Sequence, residues 1–337
     1  MTIQIQPLIL GRGMAGQAMA KASAVLSVDR SLGFEVLPPQ FIERGALKNA
    51  AAYGAFPLLM IANPHGLHAK TLVQAQSLGF SHAVLDKPVC TTPAELAELS
   101  RLSISAWICH GYRQFWGPQR LKALVEAGDL GRLFAIEGRY WQSSAAQRAT
   151  GTRPAKSSWK NDLALSGGSD VALDLLPHWM DMVLFLAGDV PRGLSGWKSF
   201  VHAEAPHRDT HLHLSMQFSS GLRSFGSISK TAHGSGNFLE IHLLGERASA
   251  SWSIERADEI LMGFGGEQRR VSRAEPDVLG LAPFHGAGWL AGYTSVIRAA
   301  MSAVAGNPSE KAPVLSESLT LMKSFFEIHW ETASDQQ

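Results

Sequence analysis

Pro7 to Ala20 reads PLILGRGMAGQAMA, and the fold of the first third of the chain follows from how this stretch is read. PLIL has the character of a short buried strand. It runs into Gly11, Gly13 and Gly16, spaced as GxGxxG, and then into an alanine-rich run suited to a helix. A strand that turns directly into a helix offers the free N–H groups of the first helical turn to an anion. In that setting the first glycine allows a tight turn and the second lets a pyrophosphate approach the backbone. The third permits close helix–strand packing. The stretch predicts a dinucleotide-binding unit, with Gly11, Arg12, Gly13, Met14, Ala15 and Gly16 forming the phosphate cradle.

Outward from it, short β-rich runs alternate with helical ones. FEVLPP reads as a second strand, PLLMIAN as a third, GLHAKTLVQAQSLG as a helix closed by Gly79, and HAVLDKP as a strand. TPAELAELSRL follows as a helix capped by Thr92, then SAWICHGY as a strand. Alternation of this kind predicts a parallel, doubly wound sheet. Beyond about residue 115 the pattern changes to a helix over GPQRLKALVEAGDLG, a strand over LFAIEGRYWQ, and a Ser- and Arg-rich loop over 143–168. A mostly antiparallel set of strands covers 195–265, with HLHLSMQF and LRSFGSISK flanking a turn at Ser219 to Gly221, and two helices close the chain. The expected division is a dinucleotide-binding domain at 1–115 and a substrate-binding and oligomerisation α/β domain at 116–337.

With 337 residues two domains are the natural expectation, and an apolar fraction of 45% supplies ample core. Thirty basic against twenty-nine acidic residues argue against a nucleic-acid or acidic-membrane footprint. Cys90 and Cys109, without a CxxC partner, read as two partly buried free thiols of a reducing compartment. MTIQIQPLILGRG has neither the basic lead nor the apolar core of a signal peptide, and no apolar stretch reaches the ~18 residues of a membrane span. A soluble, cytoplasmic protein is expected.

The next feature sought is an acidic residue about 20 positions after the glycines, at the end of the second strand, to hold the adenosine ribose. Pro38, Pro39 and Gln40 fall there. With Arg12 or Arg44 facing a 2′-phosphate instead, the expectation is NAD(P) with a slight lean to NADP.

Three further segments end strands of the predicted sheet: IANPHGLH with Asn63, Pro64 and His68; VLDKPV with Asp86 and Lys87; and HGYRQFWGP with Arg113. In open α/β sheets ligands bind beyond the carboxyl ends of the strands, so these residues are candidate cofactor contacts. Later, DLLPHWMD places Asp174, His178 and Asp181 at helical spacing on one face of an otherwise apolar helix, or with Asp174 capping a helix start where Pro177 is harmless.

Taken together, DKP at 86–88, LVEAGDLGRLFAIEG, and SGGSDVALDLLPHWMDMVLFLAG resemble the Gfo/Idh/MocA oxidoreductases over nearly the whole chain. The last segment is similar to that family's glycine-rich stretch and D-x-G-x-H-x-x-D helix. The resemblance implies an α/β chain: an N-terminal Rossmann domain and a C-terminal α+β domain with a large, open, mostly antiparallel sheet, often used for dimer or tetramer contacts. It implies an NAD(P)-dependent dehydrogenase acting on a sugar, inositol or related polyol, with Lys87 as active-site lysine, His178 as acid/base and Asp174 as its partner. The chemistry agrees. An imidazole takes the hydroxyl proton as hydride leaves, and an ammonium steadies the developing alkoxide. Lys87 and His178 are thus expected to converge on one alcohol carbon. Asp181, Trp159 and Lys160 are further substrate candidates.

The chain departs from the family pattern at Lys160, where an arginine is usual, and at Leu176, where glycine is usual, which should reshape the pocket. Arg113 is also open to reading as a surface ion pair, and Asp181 as a structural one. His211 and His213 share a strand face but lack further ligands at metal spacing, so no metal is expected. Trp289 and Tyr293 fit a packed helix face. Two alternatives stay open: an NAD-dependent glycoside hydrolase of the same superfamily, and a non-catalytic dinucleotide-binding regulator.

Overall fold

The computed structural model describes residues 2–154, 158–203, 208–308 and 311–331; the side chains of Arg44, Ser158 and Asn161 are not among those described. The chain begins with β1 (Gln4–Leu10), α1 (Met14–Ser27), β2 (Glu35–Val36), β3 (Gln40–Ile42) and β4 (Phe56–Ile61). It continues with α2 (His68–Ser77), β5 (His82–Leu85), α3 (Pro93–Leu99) and β6 (Ser105–Ile108). These strands form one all-parallel sheet, ordered β2-β1-β4-β5-β6, with β3 also paired to β1. Leu58 to Ile61 are completely buried, as expected for a parallel strand covered on both faces. Thr92 caps α3 by accepting from Glu95 N, while the Glu95 carboxylate accepts from Thr91 N, so two helix-start donors are satisfied by local sequence.

The second strand differs from its sequence reading. Pro38 and Pro39 cannot donate to a ladder, so the strand stops at Val36 and resumes at Gln40. The register against β1 slips by one residue across the break: Ile5 faces Val36, whereas Leu8 faces Gln40. The strand therefore ends at Ile42, and the residue just beyond it is Glu43.

Next come α4 (Trp116–Glu126), β7 (Leu133–Trp141), α5 (Ser144–Ala149), α6 (Ser158–Asn161), α7 (Leu163–Ser166), α8 (Val171–Asp174) and α9 (Leu176–Ala187). The strands β8 (Gly193–Ser199), β9 (His211–Gln217), β10 (Arg223–Ser229), β11 (Phe238–Gly245), β12 (Ser249–Ser253), β13 (Glu259–Phe264) and β14 (Glu267–Ser272) follow. The chain closes with α10 (Trp289–Val304), α11 (Leu315–Phe326) and β15 (His329–Glu331). A nine-stranded mixed sheet runs β14-β13-β12-β11-β7-β10-β9-β8-β15. It is antiparallel except where β10 meets β7 and β15 meets β8. The predicted β9–β10 hairpin is present, with Gly221 at φ +87° in its turn.

Two compact units result: residues 1–114 with 276–281 and 287–322, and residues 115–275 with 282–286 and 323–337. The first boundary lies next to the expected 115/116. The late segment holding α10, which the sequence reading had kept in one domain 116–337, returns to the first unit. Its Val296, Ile297, Ala300 and Met301 share a core with Ile5, Ile9, Met19 and Ala22. Gly292 makes this possible, since a Cβ there would stand 2.5 Å from the Gly111 carbonyl oxygen.

Two local readings also change. The stretch expected as a loop at 143–168 carries α5, α6 and α7 around the undescribed 155–157. The start of α5 is satisfied by Lys230 O, which accepts from Ala145 N at 2.8 Å, a partner that composition cannot reveal. DLLPHWMD is not one helix: α8 ends at Asp174 and α9 begins at Leu176. Pro177 has no N–H for the carbonyl four residues earlier, so the helical ladder breaks and restarts.

Candidate functional site

In the first unit the glycine motif supplies three different spaces. Gly11 has φ +114°, and a Cβ on it would lie 2.2 Å from Ala62 O, so the turn after β1 presses on the end of β4. A Cβ on Gly16 would stand 1.9 Å from Gly11 O. Gly13 has nothing within 4 Å of that position, which leaves open space beside the start of α1. No side chain caps α1, so its first-turn N–H groups, including those of Met14, Ala15 and Gly16, are available to an anion. β1 and β4 flank the point where strand order reverses, the usual place for a nucleotide in this topology.

Arg12 stacks on Phe41, with the guanidinium carbon 5.1 Å from the ring centroid, and its Nε lies 3.4 Å from Glu43 Oε1. Glu43 overturns the premise of the NADP lean: a carboxylate does follow the second strand, displaced by the Pro38–Pro39 break. It would repel a 2′-phosphate and can accept from ribose hydroxyls. Asn63 donates from Nδ2 to Thr71 Oγ1, while its buried Oδ1 has no hydrogen-bond partner among the described residues. A buried amide oxygen calls for a donor. Cradle, helix start, carboxylate and orphaned amide oxygen fit a dinucleotide.

Pro64 caps the short helical turn before α2, and His68 lies wholly buried at the start of α2. The His68 ring is packed between Pro88 O at 2.7 Å and Asn63 O at 2.8 Å, and as a neutral imidazole it donates to one of the two. Burial lowers the His68 pKa, against the opposing influence of the Asp86 charge and the two carbonyls. Asp86 and Lys87 are both buried, and Asp86 Oδ1 accepts from Tyr293 Oη at 2.9 Å. Tyr293, which the sequence suggested for helix packing, is therefore a support of the Asp86–Lys87 segment. Burial and the neighbouring Asp86 push its hydroxyl well above the usual range, so it stays a donor. Arg113 pairs with Glu317 at 2.5 Å, but its side chain is buried rather than at the surface as the ion-pair reading had it. His110, behind them, is pushed well below its ordinary pKa by burial and by the Arg113 and Lys87 charges.

In the second unit, α9 carries His178 and the buried Asp181. The His178 ring meets Tyr140 of β7 edge-on, 5.8 Å between centroids. Leu176 is completely buried in the core of this unit. Asp174 ends α8 and bonds through Oδ2 to Lys230 Nζ at 2.7 Å. Trp159 and Lys160 sit on α6, with the Lys160 ammonium 5.4 Å from the Trp159 ring centroid. Asp209 organises the start of α8: its Oδ1 accepts from Ser169 Oγ and Asp170 N, and its Oδ2 from Ala172 N. Arg208 donates to Lys160 O, Ser166 Oγ and Ser169 O. His211 and His213 bring their Nε2 atoms to 3.0 Å, and among the described residues no cluster of three His, Cys, Asp or Glu could hold a metal. Both cysteines are buried free thiols, Cys90 pushed up to about 12 by burial and Glu95. No helix among the described residues is long and apolar enough to cross a membrane.

Sequence reasoning missed Glu43, Tyr293, Asp170 and Lys230. Asp170 had a signal, four residues before Asp174; Lys230 had none, because its partners lie 56 and 60 residues away.

Residues 119–251 match the GFO/IDH/MocA C-terminal domain family. The chain is 25% identical over 272 residues to a levoglucosan dehydrogenase of Pseudarthrobacter phenanthrenivorans, covering 71% of this chain and 68% of the relative. A solved oxidoreductase domain protein of Kribbella flavida superposes with TM-score 0.83 at 18% identity, covering 96% of this chain and 95% of the other. An inositol dehydrogenase homologue of Azotobacter vinelandii, solved with NAD⁺, superposes with TM-score 0.78 at 17% identity, covering 97% and 94%. That homologue has also been solved with NADH and myo-inositol. The fold read from the sequence holds.

His110 makes stability pH-dependent with a definite sign. The folded state keeps the ring neutral, whereas the unfolded chain takes a proton below its ordinary value of about 6.5. Its contribution is complete above that pH and falls on acidification by up to about 1.4 kcal/mol per pH unit. Urea midpoints compared at about pH 7.5 and about pH 5.5 should drop more for the wild type than for His110→Asn; equal drops would contradict this.

Proposed function

We propose that this chain is an NAD-dependent dehydrogenase of the Gfo/Idh/MocA family, oxidising a secondary alcohol of a sugar, inositol or related polyol. The observation that carries the reading is the cradle of Gly11, Gly13 and Gly16 with Glu43 at the end of the second strand. Gly11 to Gly16 and the start of α1 hold the pyrophosphate, and Glu43 takes the adenosine ribose hydroxyls. Asn63, Pro64 and the Asp86–Lys87 segment serve the nicotinamide half. Bound there, the dinucleotide supplies the hydride acceptor.

The remaining chemistry belongs to the protein. His178 accepts the hydroxyl proton, and Asp174 supplies the negative charge that favours the imidazolium so formed. Lys87 places an ammonium at the alcohol oxygen, where charge develops as the proton leaves. Asp181, Trp159 and Lys160 shape the pocket and select among polyols. The names of the relatives, a levoglucosan dehydrogenase and an inositol dehydrogenase homologue, support a cyclic polyol. We further propose a homodimer through the outer face of the nine-stranded sheet, where Phe225 and Trp197 stand half exposed among Ser227 and His213.

Supplying NAD⁺ with a panel of cyclic and linear polyols should yield reduced cofactor. On the substrate found, His178→Ala should lower kcat roughly 10²- to 10⁴-fold at neutral pH; unchanged turnover would overturn its role. Glu43→Gln should weaken NAD⁺ binding about tenfold and NADP⁺ binding far less, as loss of a charged hydrogen-bond acceptor requires. Equal losses for both cofactors would place the ribose elsewhere. Light scattering should report a dimer for the wild type and a monomer for Phe225→Glu; a wild-type monomer would remove the sheet-face proposal.

A further inference from the structure

Beside α8 lies a buried ion cluster of which the proposed mechanism uses Asp174 alone. Lys230, directly after β10, donates through Nζ to Asp170 Oδ1 at 2.6 Å and to Asp174 Oδ2 at 2.7 Å. The side chains of Lys230 and Asp170 are 5% and 8% exposed, and that of Asp174 is 27% exposed. Both ends of α8 are thus anchored from outside, the first by Asp209 and the second by Lys230. Between Asp174 and His178 the helical hydrogen-bond ladder is interrupted, with Pro177 in the first turn of α9, while Leu175 keeps right-handed helical angles, so Asp174 belongs to one helical segment and His178 to the next.

We infer that Lys230 is a positioning residue for His178: it neutralises Asp170, leaving Asp174 ionised and fixed one short step ahead of the imidazole. The inference rests on the acid/base reading of His178 proposed above. Within the set itself, one ammonium stands against two carboxylates, an excess of one negative charge next to the start of α9. Burial alone would lower the Lys230 pKa, but the Asp174 and Asp170 charges outweigh it and hold the ammonium.

Among the described residues, neighbouring charged groups have bonds of their own. Asp209 caps α8, and Arg208 donates to Ser166 and to two backbone carbonyls. Lys198 donates to Ser169 Oγ and lies over the Trp330 ring. On α9 itself stand His178 and Asp181, and Tyr140 of β7 faces the imidazole. Among these bonds, only Lys230 reaches both Asp170 and Asp174. Without its ammonium two like charges share a buried site, and the pair must take up a proton. Asp174 then loses its charge for part of the time, and His178 loses the partner that favours its protonated form.

The test uses Lys230→Met and the double variant Lys230→Met/Asp170→Asn, in the full chain. The first readout needs no substrate: carboxyl ¹³C signals of aspartate-labelled protein followed against pH. Lys230→Met should show one carboxyl titrating far above the ordinary aspartate range, and the double variant should not, because only Asp174 remains. The second readout is the pH profile of kcat/KM on the polyol identified above. Because turnover needs Asp174 ionised, the acid limb in Lys230→Met should follow the raised carboxyl and move up by about one pH unit or more. Activity on that limb should fall by on the order of 10²-fold, as for misplaced groups. The double variant should return the limb close to its wild-type position, which a merely structural lysine does not predict.

An active Lys230→Met with an unshifted limb and no raised carboxyl overturns the inference. Should Lys230→Met fail to fold, the double variant decides: a wild-type limb supports the inference, and a displaced one overturns it. A wild type that oxidises no polyol, with a raised carboxyl in Lys230→Met, supports the charge assignment and sinks the dehydrogenase reading instead.

Discussion

The first unit depends on a contact that tolerates no side chain: the backbone of Gly16 against the carbonyl of Gly11. A methyl group at Gly16 would stand 1.9 Å from that oxygen, and one at Gly11 would strike Ala62. This double approach packs α1 onto β1 and brings the turn against the end of β4. The start of α1 is thereby aimed at the place where the parallel sheet changes direction. His68 extends the same logic, its buried ring filling the space between the carbonyls of Asn63 and Pro88 at the ends of β4 and β5. Tyr293 adds a hydroxyl to Asp86 from a helix that returns late in the chain.

The second unit solves a different problem. It carries an imidazole and several carboxylates on apolar helices, and each buried charge there needs a partner. Asp209 is consumed by the N–H groups of α8, Arg208 by backbone carbonyls, and Lys230 by Asp170 and Asp174. Removing one member of such a set costs more than the set contributes, because the survivors stay buried and uncompensated. Leu176, where the resembled family usually has glycine, goes into the core of its unit and gives this chain bulk that the pattern lacks.

Much of this was legible in the sequence because the signals were local. The glycine spacing, the capping of α3 by Thr92 and the period-two strands around Ser219 to Gly221 each follow from neighbouring residues. What stayed hidden depended on distant partners or on interrupted elements. The Pro38–Pro39 break disguised Glu43 by splitting the second strand. Pro177 broke a helix that side-chain spacing alone had drawn as continuous. Lys230 and Tyr293 sit in segments whose composition is that of an ordinary strand end and an ordinary packed helix. Their roles come from residues 56 and 207 positions away. The return of α10 to the first unit has the same origin, a close approach between Gly111 and Gly292 that no local pattern encodes.

The central claim is that a hydride leaves a polyol carbon and stays on the nicotinamide while His178 carries away the hydroxyl proton. The most direct measurement follows deuterium from a polyol labelled at the oxidised carbon. The account predicts that the label appears stoichiometrically in released NADH. Deuterium retained in a cleaved or unchanged sugar, with no labelled cofactor released, would contradict it.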